Sequence, residues 1–386
     1  MRTDRILKAF MGEHLRTVHK ARVGAVLDAV AALVRGGELA LSRLGRAIAV
    51  TTKVKHGIKR IDRLYGNANL LKDRLAFYRG IAHGVVQSQF NPAVLIDWTE
   101  AGGGMRVLAA AVPCSGRAVT IYAETHPLRK YANPRVEAAF LRRLREILPL
   151  GTRPIIVTDA GFRAPWVRQV VKMGWDYVAR VRGRAYVRPA AGGKWIRFDD
   201  LYPRARLHAV DLGNWEVTRY QPYACRLVTI RKRRRCWRSG ERRRALDTRV
   251  RREVEAGREP WLLATSLDVL AASRIASVYA KRMQIEETFR DTKSLRFGWA
   301  LEAACTVRAA RVEVMVLLSA LASLLILMVG IAAEEAGLHR AFQANTVRNR
   351  RVLALTTLGR LVLLQASAAS SPTWNEFTLP DGLAAG

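Results

Sequence analysis

At 386 residues the chain is long enough for a sizeable core and two or three domains. Its 65 Lys plus Arg outnumber 32 Asp plus Glu, a net charge of +33. That exceeds what solubility needs and implies a polyanionic partner, nucleic acid or an anionic membrane surface. Four scattered cysteines (Cys114, Cys225, Cys236, Cys305) match no CxxC or Cys/His spacing, which excludes a zinc module and fits reduced thiols in a cytoplasmic protein.

The N-terminus carries Lys8, Glu13 and Arg16 close behind Met1, so no uninterrupted signal-peptide core forms. Residues 1 to about 85 read as helical, with apolar spacing over Val23–Val34, a break at Gly36 and Gly37, and a second apolar stretch from Leu39. The cations between Lys53 and Arg63 follow, and the helix, break, helix order suits a helical DNA reader. From Pro92 the period changes. Ala93–Ile96, Met105–Val112 and Ala118–Ala123 are predicted strands of a three-strand meander, turning at Gly102–Gly104 and at Ser115 and Gly116. Asn133 and Pro134 open a predicted helix to about Leu148, with Asn133 as N-cap. A buried-type strand Pro154–Thr158, a helix Ala164–Met173 and a strand Asp176–Arg182 complete an α/β order like that of the ribonuclease-H-like fold.

Between about Gly183 and Pro260 short aromatic-bearing strands are predicted at Lys194–Phe198, Trp215–Tyr220 and Arg226–Ile230. A basic run from Arg231 to Arg252 follows and contains Trp237, so the segment reads as a β-rich insertion with a long basic loop. Trp261–Leu267 resumes as a strand, and a single helix is predicted through Tyr279–Lys293, which contains no Gly or Pro. At roughly 100° per residue, Tyr279, Arg282, Glu286 and Lys293 fall within an arc of about 60°. Arg290 lies beside them, whereas Glu287 and Asp291 point away. A carboxylate flanked by cations on one face suits phosphoryl-transfer chemistry, holding a metal and phosphates side by side. Val314–Ala333 is apolar apart from Ser319 and Ser323 and long enough to cross a bilayer; a fully buried core helix reads the same way and is the expectation here.

Asp97 and Asp159 are each expected at the C-terminal end of a buried-type strand. If those strands are neighbours, both carboxylates reach one sheet edge. A helical Glu286 then completes a three-carboxylate cage for Mg²⁺, which takes few protein oxygens and keeps water or phosphate in its other positions.

Tyr279, Arg282, Glu286 and Lys293 match the spacing Y-(2)-R-(3)-E-(6)-K, the signature of a large group of bacterial insertion-sequence DDE transposases, the insertion-sequence-four group. Asp159 to Phe162 resembles that group's second-aspartate motif and Ile96 to Thr99 its first. Lys59 to Asn67 resembles its N-terminal region, and Trp261 to Leu267 the strand before the last carboxylate. The resemblance covers nearly the whole chain except the tail after about Ala336 and the details of the insertion.

It implies a retroviral-integrase-like catalytic core over 89–335 with the insertion at 183–260. A helical DNA-binding domain would occupy 1–88; the tail at 336–386, outside the resemblance, is expected to serve dimerisation. It further implies cut-and-paste movement of an element by hydrolysis and strand transfer. Asp97, Asp159 and Glu286 would hold two Mg²⁺ ions (Mn²⁺ able to substitute), and Tyr279, Arg282, Arg290 and Lys293 would hold DNA phosphates. Lys59, Arg60 and Arg63 would contact double-stranded DNA. Trp237, or else Trp215, would hold a flipped base. The implied assembly is a homodimer on paired element ends in the bacterial cytoplasm, away from the membrane. Two rivals use the same residues: a ribonuclease-H-like nuclease that does not transpose, and an inactive basic DNA-binding remnant.

Overall fold

The computed structural model describes residues 3–48, 53–87, 89–183, 185–231, 259–295, 298–344, 346–347 and 349–368. The chain divides into two compact units, one formed by Met1–Thr152 with Met283–Gly386, the other by Arg153–Arg282. The expected division at 88 and 335 is a different partition, one by function rather than by packing.

The first unit begins with helices Thr3–Met11, Lys20–Val34, Leu41–Ala47, Val54–Tyr65 and Ala68–Val86. Strands β1 (Ala93–Glu100), β2 (Met105–Cys114) and β3 (Arg117–Pro127) then form an antiparallel meander. The turns fall where expected, with positive φ at Gly102, Gly103 and Gly104 and again at Ser115 and Gly116. β2 is buried from Val107 to its end, on both faces of the strand, which explains an apolar run in place of alternation. Helix Pro134–Ile147 starts as the sequence indicates: Asn133 Oδ1 accepts from the backbone N–H groups of Arg135 and Val136, at 3.0 and 3.4 Å.

Helix Ala309–Glu335 is the core of this unit. It is long and apolar enough to cross a membrane, yet 89% of its most apolar window is buried. It packs against β3, helix Lys20–Val34 and the later helix Leu355–Ala368. Two glycines set that last contact: a Cβ at Gly359 would lie 1.9 Å from the Ile326 carbonyl oxygen, and one at Gly330 2.1 Å from that of Leu355. The segment read as a tail therefore carries a helix docked on the core through backbone contact.

In the second unit β4 (Ile155–Thr158) and β5 (Asp176–Arg180) are parallel, joined through helix Ala164–Lys172. β6 (Tyr186–Pro189), β7 (Ile196–Arg197), β8 (Val210–Val217), β9 (Tyr223–Ile230) and β10 (Trp261–Thr265) extend that sheet in the order β4-β5-β10-β9-β8-β6-β7. β8 begins five residues before the expected Trp215, carried by a register shift between Asp211 and Gly213 with positive φ at Gly213. The basic run beyond Arg231, Trp237 and Cys236 lie outside the described residues.

Two expectations are corrected. β1 does not stop at Asp97 but runs to Glu100, because residues 95–100 pair in register with 106–111 of β2. The single helix over Tyr279–Lys293 is two, Ala272–Ala280 and Met283–Lys293, separated by a turn at Lys281 and Arg282. There the backbone tightens to i→i−3 bonds, Lys281 N–H to Val278 O and Arg282 N–H to Tyr279 O. The first unit resumes at Met283, so Tyr279 and Arg282 belong to one unit and Glu286 and Lys293 to the other.

Candidate active site

Helix Met283–Lys293 buries Ile285, Thr288 and Phe289 against β1, β2 and β3. Thr288 fixes its height on the sheet: its Oγ1 accepts from Ala118 N–H and lies at the same 2.9 Å from Ala118 O. Asp291 fixes its far end through Arg117 Nε at 2.6 Å. Docked in this way, the helix turns Glu286, Phe289, Arg290 and Lys293 into an open cavity of about 530 Å³, which Asp97, Trp98 and Thr99 of β1 line from the sheet side. Asp97 and Glu286, two of the three carboxylates that the sequence groups, thus line one cavity. Lys293 and Glu302, 3.7 Å apart, close its rim.

Glu287 is turned elsewhere. It binds Arg290 at 2.8 Å and lines a separate cavity with Arg117, Asp291 and Arg360. The angular argument separating the two adjacent glutamates holds on this helix, although it fails for Tyr279 and Arg282 beyond the turn.

The Asp97 carboxylate is oriented locally. Its Oδ1 accepts from Trp98 N–H at 2.8 Å, and the Trp98 indole N–H donates to the buried Glu137 at 3.1 Å. The ring of Trp98 also meets His126 and Tyr131 edge-on, at 5.8 and 5.6 Å.

In the second unit Asp159 follows β4 directly, as expected. Gly161 N–H donates to Asp159 Oδ1 at 2.8 Å, and a Cβ at Gly161 would stand 3.0 Å from that oxygen, so glycine permits the turn. Tyr279 is buried and meets Trp261 edge-on at 4.7 Å. Burial pushes its phenol above the ordinary value, Asp159 adds to that, and the guanidinium groups of Arg282 and Arg180 oppose it. Asp159, Arg180, Tyr279 and Arg282 therefore share one electrostatic neighbourhood.

Arg180 was missed by the sequence reading. The available signal was its place at the end of β5, one residue past Ala179, the partner of Thr158. Its Nε and Nη2 are buried without hydrogen-bond partners, and the Glu259 carboxylate, 3.7 Å from Nη2, is the anion that offsets its charge.

Among the described residues, no group of three or more His, Cys, Asp or Glu side chains stands close enough to hold a metal ion. Within one unit, two of the three expected carboxylates line one cavity. Their oxygen donors on an open, cation-flanked cavity fit a hard divalent ion that keeps ligand positions for water and phosphate. Of the expected DNA contacts, Lys59, Arg60 and Arg63 are exposed on helix Val54–Tyr65, with Arg60 paired to Asp28. Trp215 is 5% exposed and its indole N–H is bonded to Leu212 O at 2.9 Å, so it is not available to stack on a base.

Two carboxylates with cations at one cavity, in a chain of this charge, suit phosphoryl transfer on a polyanion. Residues 101–325, more than half of the chain, match the family described as "Transposase DDE domain", and the chain belongs to that family. Its activity is accordingly DNA transposition by metal-dependent cleavage and strand transfer. The matched span holds Asp159 and Glu286 and begins four residues after Asp97. No curated protein matches the chain. Among solved structures it is similar to the piggyBac transposase in a cryo-EM synaptic complex with hairpin DNA. The identity is 10% and the TM-score 0.38, over 99% of this chain and 83% of that one, a likeness too distant to carry an argument about the site.

Proposed function

We propose that the chain is a cut-and-paste insertion-sequence transposase of the insertion-sequence-four group with a ribonuclease-H-like catalytic core. The observation that carries this reading is the single cavity lined by Asp97 and Glu286 with Arg290 and Lys293. The parallel β4–β5 pair following an antiparallel meander supports the core assignment.

In this reading Asp97, Asp159 and Glu286 would hold two Mg²⁺ ions. When bound, the ions offset the charge that develops on the attacking and leaving oxygens at phosphorus. Lys293 and Arg290 hold phosphate oxygens at the rim. Arg282 and Arg180 do so beside Asp159, where Tyr279, kept neutral by burial, acts as a donor and not as a base. Lys59, Arg60 and Arg63 contact the backbone of the element end. The working form is a dimer on two ends in the bacterial cytoplasm.

The test is strand cleavage of duplex DNA carrying the native element ends. Cleavage that needs a divalent metal and is lost in Asp97→Ala and Glu286→Ala supports the reading; unchanged cleavage in either variant sinks it. Cleavage without joining of the freed 3′ end to a target would favour a nuclease.

A further inference from the structure

The turn that follows β3 is not used by the site described above. Leu128–Lys130 form a short 3-10 turn closed by Tyr131 N–H to Leu128 O at 2.9 Å. Leu128 N–H is in turn bonded to Gly104 O at 2.9 Å, tying it to the glycine turn between β1 and β2. On its other side Asn133 caps the next helix. The backbone is therefore held at both ends while its side chains face water: Arg129, Lys130, Tyr131 and Arg135 are all exposed. Leu128 is 54% exposed and Tyr131 47%.

The chemistry of this surface is specific. No carboxylate occurs from Leu128 to Val136. The Arg106 guanidinium lies 5.5 Å from the centre of the Tyr131 ring and pairs with the exposed Glu100 at 3.5 Å, the one carboxylate among the described residues that pairs with a cation of this surface. An ordinary solvated face alternates charge signs and does not hold a tyrosine and a leucine open to water on a braced turn. Cations interleaved with an exposed aromatic ring suit a nucleic-acid backbone, with guanidinium and ammonium groups on phosphates and the ring against a sugar or base. The position of the turn adds a second reason: the Tyr131 ring meets Trp98, the residue directly after Asp97.

We propose that Arg129, Lys130, Tyr131 and Arg135, with Arg106, form a DNA-backbone clamp beside the first aspartate, holding the strand on which Asp97 acts. The proposal rests on the reading that the chain acts on DNA at Asp97. An acidic protein is the competing occupant.

Phosphate contacts carry no sequence information, so fluorescein-labelled duplex DNA of arbitrary sequence is a sufficient probe. Binding to the full chain is titrated at several salt concentrations for the wild type, the double variant Arg129→Ala/Lys130→Ala, and the charge-matched control Lys172→Ala/Arg204→Ala. At about 0.9 per phosphate contact, the clamp variant is expected to show a log K against log salt slope shallower by roughly 1.8, with affinity lowered roughly tenfold or more at moderate salt. The control should keep the wild-type slope to within half of that change. Replacing Tyr131 by p-benzoylphenylalanine is expected to give a photo-cross-link to the duplex that excess polyglutamate does not abolish.

An unchanged slope and affinity in the clamp variant overturn the proposal, as does an equal loss in the control. If the double variant does not fold, the cross-link decides: its absence, or its loss to polyglutamate, rejects the clamp. Failure of the wild type to bind duplex DNA would instead overturn the underlying reading of DNA action.

Discussion

The Trp98 indole donates to the buried carboxylate of Glu137 at 3.1 Å, while the backbone N–H of the same residue holds Asp97 Oδ1 at 2.8 Å. One residue thus ties Asp97 to helix Pro134–Ile147. Trp98→Phe keeps a ring in place but removes the indole donor, and losing the partner of a buried carboxylate costs about 1–3 kcal/mol. The expected result is a single-turnover cleavage rate lowered about tenfold, through misplacement of Asp97, with DNA affinity within about twofold of wild type. Glu137→Gln keeps an acceptor and should lose less. Equal losses in rate and affinity would point to general damage.

Tyr279 gives a prediction about pH. Its phenol is raised above the ordinary value, by burial first and by Asp159, against the pull of Arg282 and Arg180. A raised phenol stays neutral until well into the alkaline range, so it contributes no inflection to cleavage between about pH 6 and 9. Tyr279→Phe should lower the rate about 10- to 100-fold if the hydroxyl meets a phosphate, and should leave the shape of the pH profile unchanged. A changed profile would mean that the phenol exchanges a proton.

Gly359 sits where helix Leu355–Ala368 touches the backbone of Ala309–Glu335, with 1.9 Å from an added Cβ to the Ile326 carbonyl oxygen. No rotamer can relieve such a contact, so Gly359→Ala must push the helices apart. Overpacking of this kind costs about 1–3 kcal/mol or more. Thermal unfolding should show a lower midpoint for this variant, whereas Leu364→Ala, at a position 41% exposed on the same helix, should change it little.

Glu124 lies 2% exposed with donors from His126, Arg143 and Tyr122. Burial alone would raise its carboxyl, but hydrogen bonds from those three outweigh it and hold the group below its ordinary value. A lowered carboxyl stabilises the fold above the unfolded value and loses that contribution as pH falls through the lowered one. Glu124→Gln should therefore cost about 1–3 kcal/mol near neutral pH. Denaturant titrations of the two proteins should converge below about pH 4; a constant difference across pH would contradict the charged role.

How much of this was legible in sequence follows from the range of each signal. The Asn133 cap, the glycine turns and the strand ending at Asp159 are local features, and each lies where composition placed it. The extension of β1 past Asp97 was not legible, because pairing with β2 maintains it over a polar stretch that has no strand pattern of its own. The turn at Lys281 and Arg282 was also hidden: no Gly or Pro marks it, and burial of Tyr279 against Trp261 fixes the first helix independently of the second. Arg180 and Glu137 act through neighbours distant in sequence, as does Trp98 toward Tyr131. Asp97 and Glu286 were legible from local pattern, the one following a short apolar strand run and the other lying on one helical face with cations.

The adjacent glutamates give the most direct measurement. Glu286 lines the cavity with Asp97, and Glu287 binds Arg290 and lines another. Cleavage of element-end DNA is compared for Glu286→Gln and Glu287→Gln at equal protein and saturating divalent metal. The expected result is a rate lowered about 10²- to 10³-fold for Glu286→Gln and within about threefold of wild type for Glu287→Gln, whose partner Arg290 is largely exposed. Equal losses, or a greater loss for Glu287→Gln, would contradict the assignment of the cavity as the active site.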